Sequence, residues 1–184
     1  METKLNEKMG VFEINNMTKK ILNKILIVGD AGRGKSTLAV KISEKLGIPH
    51  HSTDDFYYEI KFSKVRDRPE SITKIKEIFG KEKWIVEGTN NHLIVLGLHS
   101  ADTIIYLKYK SILAQWAVLI KRYFERDNET LRKLFSLMRH VLYKKYKLGD
   151  RKLKLTHSEL IDPHKHKVIT LSSFKEIDEF VDSL

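Results

Sequence analysis

The chain has 184 residues, enough for one domain with a sizeable core. Lys and Arg (34) outnumber Asp and Glu (24), a formal charge of +10. That surplus suits polyanionic partners such as nucleotides, sugar phosphates, nucleic acid or acidic membrane, and equally suits a solvated lysine-rich surface. The absence of cysteine excludes disulfides and thiolate metal sites, and no apolar run reaches the length of a membrane span or a secretory h-region. A soluble, cytoplasmic protein without membrane partners is expected.

Residues 1–23 are polar around a short apolar patch, and are expected to form a loosely attached leader or small added element. KILIVG (24–29) is a continuous apolar run of the kind a strand buried on both faces carries. In KSTLAVKISEKLG (35–47), Leu38, Ile42 and Leu46 recur every four residues and Gly47 is a stop, which predicts a helix. IPHHST (48–53) reads as a shorter second strand, and residues 54–69 as loop and irregular helix. PESITKIKEIFG (69–80) predicts a helix opened by Pro69 and closed by Gly80.

WIVEG (84–88), ADTIIYLKY (101–109) and HKVITL (166–171) complete five expected strands. Between the last two, Leu113, Trp116, Ala117, Ile120, Tyr123 and Phe124 step by three and four, as do Leu131, Leu134, Phe135, Met138, Val141 and Leu142. Each set predicts an amphipathic helix face. Ser173 and Glu176 stand at capping-box spacing before a final helix striped by Ile177, Phe180, Val181 and Leu184. Alternating strands and helices imply an α/β fold with a five-stranded parallel sheet covered on both faces. Ligands of such sheets bind outside the carboxyl ends of the strands, at the loops after Val28, Thr53 and Glu87.

The first of these loops carries the strongest signal. Gly29, Asp30, Ala31, Gly32, Arg33, Gly34, Lys35 and Ser36 fit G-x-x-x-x-G-K-[ST], between a predicted strand and a predicted helix. The glycines let the backbone curl so that successive N–H groups face phosphate oxygens, and the helix N-terminus adds positive potential. Lys35 is expected to reach the β- and γ-phosphates and Ser36 to ligate Mg²⁺, with Thr37 completing the nucleotide-binding set. A turn of this kind binds a nucleoside triphosphate, but does not separate a kinase from a GTPase, a motor or a regulatory ATPase.

The other two loops supply acids and neutral polar groups. Asp54 and Asp55 follow the second strand, where a carboxylate can orient an acceptor hydroxyl or take its proton, or can cap the next helix. Asp54 is the expected catalytic acid; Asp55, Tyr57, Arg68, Thr89 and Asn90 are expected to line the acceptor. Arg66 and the aromatics Phe56 and Tyr58 are weaker candidates. Glu87 ends the third strand where a phosphate-loop protein keeps the acid that orients Mg²⁺. Arg122 and Arg126 are four apart, so one helix face can carry both to the transferring group, or both can be part of a solvated face.

Taken together, the phosphate loop, STDDFYY, KEKWIVEGTNN, SADTIIYL, KRYFER and the closing VITLSSFKEIDEFVDSL resemble the P-loop nucleoside/nucleotide kinases of the adenylate kinase-like group, and within it the topology modulation proteins. The resemblance runs from about Lys24 to the end. It implies a three-layer fold, MgATP as donor, an acceptor-binding region over 54–80 and a helical lid over 121–155 carrying Arg122 and Arg126, all within a kinase domain at 24–184. The third strand departs from the family by ending Glu-Gly rather than Asp-Gly, and no Asp-Gly-x-Pro-Arg segment is present, which argues against adenylate kinase proper. STDDFYY also resembles the acceptor loop of uridine kinases, and EGTNN the Asp-x-Thr-Asn of polynucleotide kinases.

The reading is an ATP-dependent kinase acting on a small hydroxyl- or phosphate-bearing acceptor, such as a nucleoside or nucleotide. A polynucleotide kinase or nucleic-acid-binding ATPase is the alternative that the charge and the basic, tyrosine-bearing run at 139–154 keep open; nucleic acid is the less favoured partner. A regulatory ATP-binding protein without transferase activity is the third. His157, His164 and His166 lack the spacing of a metal site.

Overall fold

The computed structural model describes residues 22–60, 63–109, 111–125, 130–146 and 155–184. Five parallel strands form the main sheet: β1 (Lys24–Gly29), β2 (His50–Ser52), β5 (Trp84–Gly88), β6 (Thr103–Leu107) and β7 (Val168–Leu171), in the order β2-β5-β1-β6-β7. β1 lies at the centre, with β5 on one side and β6 on the other. Its continuous apolar run follows from that place. Ile25 and Ile27 point to one face and Leu26 and Val28 to the other, and all four are fully buried.

The two faces build separate halves of the core. On one, Ile25, Ile27, Ile105 and Leu171 meet Leu38, Ala39 and Ile42 of α1 (Lys35–Leu46) and Ile177, Phe180 and Val181 of α8 (Phe174–Asp182). On the other, Leu26, Val28, Val86 and Ile104 meet Ile75 and Phe79 of α3 (Arg68–Phe79) and Leu93 and Ile94 of α4 (Asn91–Gly97). The three-layer α/β arrangement expected from the sequence is therefore present.

The stretch read as loop and irregular helix is more ordered than that. α2 (Thr53–Tyr57) follows β2 directly, and β3 (Tyr58–Ile60) pairs antiparallel with β4 (Lys64–Val65). These strands are short and largely exposed, so they carry no buried alternation that a sequence pattern could reveal. Arg66 holds them from the side: its Nε donates to the Phe56 carbonyl and its Nη2 to the Tyr58 carbonyl.

The helices α5 (Ile112–Phe124) and α6 (Leu131–Lys145) pack through Leu119, Leu134 and Val141, with Trp116, Tyr123 and Met138 around them. The stripe expected on α5 is rotated. Leu113 and Phe124 are 73% and 80% exposed, whereas Gln115 and Leu119 are buried. α5 turns its Gln115–Leu119 side to the loop after β1, a demand that apolar spacing alone does not register. Leu131 and Phe135 of α6 are likewise exposed. At the end, Ser173 caps α8 by accepting from the Glu176 N–H, and Glu176 in turn accepts from the N–H of Ser172 rather than of Ser173. α7 (His157–Ile161) and the 3₁₀ turn Asp162–Lys167 precede β7, and the sequence reading did not include them. Thr156 and Glu159 form a capping box at the start of α7.

Gly88 shows how closely the rim is built. A methyl group there would lie 1.7 Å from Oγ1 of the fully buried Thr53. Gly88→Ala is expected to destabilise the fold by about 3 kcal/mol, at the upper end of core overpacking, because neither β5 nor α2 can retreat without disturbing β2. Denaturant titration of the purified variant checks this; an unchanged midpoint would show that the rim can give way.

Candidate active site

The carboxyl ends of β1, β2 and β5 bring the expected residues to one rim. Ser52 is paired in register with Glu87, and Glu87 with Ile27 of β1, so neighbouring strands separate these positions by about 5 Å each. Gly34 closes the phosphate loop in the left-handed region (φ 81°), which lets α1 begin directly at Lys35. The Lys35 side chain is folded in rather than extended: the residue is 7% exposed, and Nζ donates to the Asp30 carbonyl at 2.9 Å. Ser36 Oγ donates to Glu87 Oε1, also at 2.9 Å, and Glu87 is 5% exposed at the end of β5.

This last contact is the geometric centre of the site. A hydroxyl at the first turn of α1 and a buried carboxylate on the adjacent strand meet just below the loop. Both are hard oxygen donors, the type that Mg²⁺ takes either directly or through a bound water. Among the described residues no group of three or more His, Cys, Asp or Glu comes together as a metal cluster. His164 instead meets His99 edge to face, away from His157.

Asp54 lies in the first turn of α2, two residues beyond the end of β2. The Ser52 hydroxyl caps this helix by accepting from the Asp54 N–H at 3.3 Å, so the capping role belongs to Ser52. The Asp54 side chain is half-buried, and together with burial its charge raises the Tyr58 phenol above its ordinary range. Asp55 is exposed beside it. Tyr57 meets Tyr58 and His92 edge to face, with ring centroids 4.8 and 5.7 Å apart. Burial first, and then the nearby Arg68, lowers the His92 imidazole. Arg68 is exposed at the start of α3, whereas Arg66 is committed to backbone carbonyls and to Glu70.

After β5, Thr89 is exposed and Asn90 half-buried, and Asn90 makes no side-chain cap bond to α4. Asn91 Nδ2 donates to the Leu155 carbonyl at 2.7 Å. Of the two arginines, Arg122 falls within α5 but its side chain lies outside the described residues, as does Arg126 altogether. Residues 147–154 of the basic run and residues 1–21 lie outside them too, as do the side chains of Lys144 and Lys145.

Arg33 does something the sequence did not announce. Its guanidinium sits 4.8 Å from the Tyr109 ring centroid and 5.3 Å from that of Phe174, and the residue is 3% exposed. Desolvation lowers its pKa, and Nε and Nη2 are buried without a hydrogen-bond partner among the described residues. Its main chain belongs to the loop while its side chain braces the loop's outer wall. α5 braces the same turn: Gln115 Nε2 donates to the Ala31 carbonyl at 3.5 Å, and a methyl group on Gly32 would lie 3.3 Å from Leu119 Cδ2.

His157, weighed in the sequence only as a metal ligand, has another place in the structure. It is 2% exposed, its Nε2 lies 3.1 Å from the Thr89 carbonyl, and its Nδ1 lies 3.8 Å from Asp30 Oδ1. The capping box Thr156–Glu159 was the available signal that a helix begins there.

The architecture has counterparts among solved structures. A shikimate kinase of Acinetobacter baumannii in complex with shikimate is similar at TM-score 0.54 and 15% identity, covering 89% of this chain and 91% of that one. A gluconokinase of Sinorhizobium meliloti 1021 is similar at TM-score 0.52 and 15% identity, covering 90% and 93%. In sequence, an adenylate kinase of Thermotoga neapolitana is 35% identical over 78 residues, which is 42% of this chain and 34% of that protein. The chain has the fold of the P-loop nucleoside/nucleotide kinases. An uncharacterized Bacillus subtilis (strain 168) protein, YqaC, is 40% identical over 65 residues, 35% of this chain and 36% of its own. The matched stretch thus spans about a third of each of these two curated relatives, and no family model matches the chain. No described helix is long and apolar enough to cross a membrane.

Proposed function

We propose that the protein is an ATP-dependent phosphotransferase that passes the γ-phosphoryl group of MgATP to a hydroxyl or phosphate on a small molecule. The observation that carries this reading is the 2.9 Å contact between Ser36 Oγ and the buried Glu87 carboxylate beneath a complete phosphate loop. Magnesium, when bound, would supply positive charge against the negative charge that develops on the phosphoryl oxygens. Ser36 would ligate it, and Glu87 would hold it through water. Lys35 would turn from the Asp30 carbonyl to the phosphates, and the N–H groups of residues 29–37 would cradle them.

Asp54 would orient the acceptor hydroxyl and draw off its proton, a role that fits a half-buried carboxylate at the end of the strand next to β5. Asp55, Tyr57, Arg68, Thr89 and Asn90 would serve as acceptor-binding groups. Arg122 and Arg126 would close over the transferring group from the region at 121–155. A kinase named for shikimate and a gluconokinase share the fold, which favours a small polyhydroxyl acceptor; the adenylate kinase similarity keeps nucleotides in the same screen.

An ADP-release screen over nucleosides, nucleotides, sugars, sugar acids and short oligonucleotides tests the reading. At least one small-molecule class is expected to accelerate ADP formation well above the rate with water. Acceleration by oligonucleotides alone would move the protein to the polynucleotide class.

A further inference from the structure

His157 connects three parts of the rim. A carbonyl can only accept, so the 3.1 Å contact with Thr89 requires a proton on Nε2, and the 3.8 Å approach of Nδ1 to the Asp30 carboxylate is an ion pair when Nδ1 carries a proton as well, in the imidazolium. Asp30 is the second residue of the phosphate loop, and its carbonyl is the group that holds Lys35 Nζ. Nearby, burial and then the charge of Asp30 raise the Tyr106 phenol to about 12, and the Asp30 side chain is one-third exposed (33%). The segment that carries His157 is anchored a second time, by Asn91 Nδ2 on the Leu155 carbonyl. Residues 155–157 are thus tied to the loop after β5 at two points, and the imidazole extends that tie to the loop after β1.

The consequence appears when Lys35 moves. In turning to a phosphate it gives up the Asp30 carbonyl. As an imidazolium, His157 then still attracts the Asp30 carboxylate on one side while donating to the Thr89 carbonyl on the other. We propose that His157 is a positioning residue for the phosphate loop, acting through Asp30 to fix it against the acceptor-side loop at Thr89. This rests on the kinase reading above, since it assigns His157 to the support of a nucleotide site. His157 touches neither phosphate nor acceptor in this role.

Calorimetric titration of the full chain with MgADP tests the proposal without needing the acceptor. His157→Ala and Asp30→Asn are each expected to weaken MgADP about tenfold. The double variant is expected to be no weaker than about tenfold, because both changes remove one coupled contact. His157→Asn, whose amide replaces Nδ1 toward Asp30, is expected to bind within about threefold of wild type. His157→Gln, whose amide replaces Nε2 toward Thr89, is expected to behave like the alanine variant. Should His157→Ala fail to fold, as thermal melting would reveal, the cycle is run with His157→Gln. Losses that multiply to about a hundredfold in the double variant, single variants that bind as wild type, or rescue by Gln equal to that by Asn would overturn the proposal. Wild-type protein that binds no MgADP would overturn the kinase reading, and this inference with it.

Discussion

Replacing Lys35 by alanine is expected to lower MgATP turnover about 10³-fold, equivalent to about 4 kcal/mol of transition-state stabilisation. The side chain is 7% exposed and already drawn over the loop onto the Asp30 carbonyl, so its ammonium is stored within reach of any phosphate bound there. Charge accumulates on the phosphoryl oxygens as the bond to the leaving group breaks, and a fixed cation in a water-poor site is worth far more to that state than to the ground state. Alanine leaves the glycine curl and the N–H groups in place, so MgADP affinity is expected to fall much less than turnover. The check is steady-state ADP formation alongside nucleotide titration of the same preparation. Equal losses in affinity and turnover would assign Lys35 to binding alone.

Asp54→Asn is the second large effect. Asparagine keeps the shape and hydrogen-bonding capacity of the side chain but cannot accept a proton from an alcohol. The helix that contains it is capped by the Ser52 hydroxyl, so the cap does not depend on the Asp54 charge. Transfer to the acceptor is expected to drop between about 10² and 10⁴-fold, the usual contribution of a general base, with MgADP affinity within about threefold of wild type. A melting temperature lowered by many degrees, or lost nucleotide binding, would make Asp54 a structural residue of α2 instead.

The parts of the sheet legible in the sequence are those whose residues carry their own signal. The run at Ile25, Leu26, Ile27 and Val28 is apolar at every position because β1 is central and covered on both faces. The loop between β1 and α1 is legible because its chemistry needs glycine and lysine at fixed spacing. Asp54 and Glu87 were placed by counting to strand ends. What stayed hidden depends on partners distant along the chain. His157 is a lone histidine in the sequence; its meaning lies in Thr89 and Asp30, which the fold brings to it. Arg33 reads as a variable position of the loop motif until Tyr109 and Phe174 close on it. On α5 the apolar spacing pointed to Leu113 and Phe124, yet the helix turns Gln115 and Leu119 inward because the loop at Ala31 and Gly32 is a surface they meet, in addition to the α6 residues packed on Leu119. The β3–β4 hairpin is held by Arg66 and main-chain bonds, which no hydrophobic pattern encodes.

The central claim is that the phosphoryl group is transferred rather than merely bound or lost to water. Incubating the protein with ATP labelled at the γ-phosphate, Mg²⁺ and each acceptor of the screen, then separating the products, tests this most directly. The predicted result is label on a small organic acceptor, formed by wild type and at least about a hundredfold more slowly with Lys35→Ala and Asp54→Asn. Label found solely in inorganic phosphate or unreacted ATP, whatever acceptor is present, would contradict it.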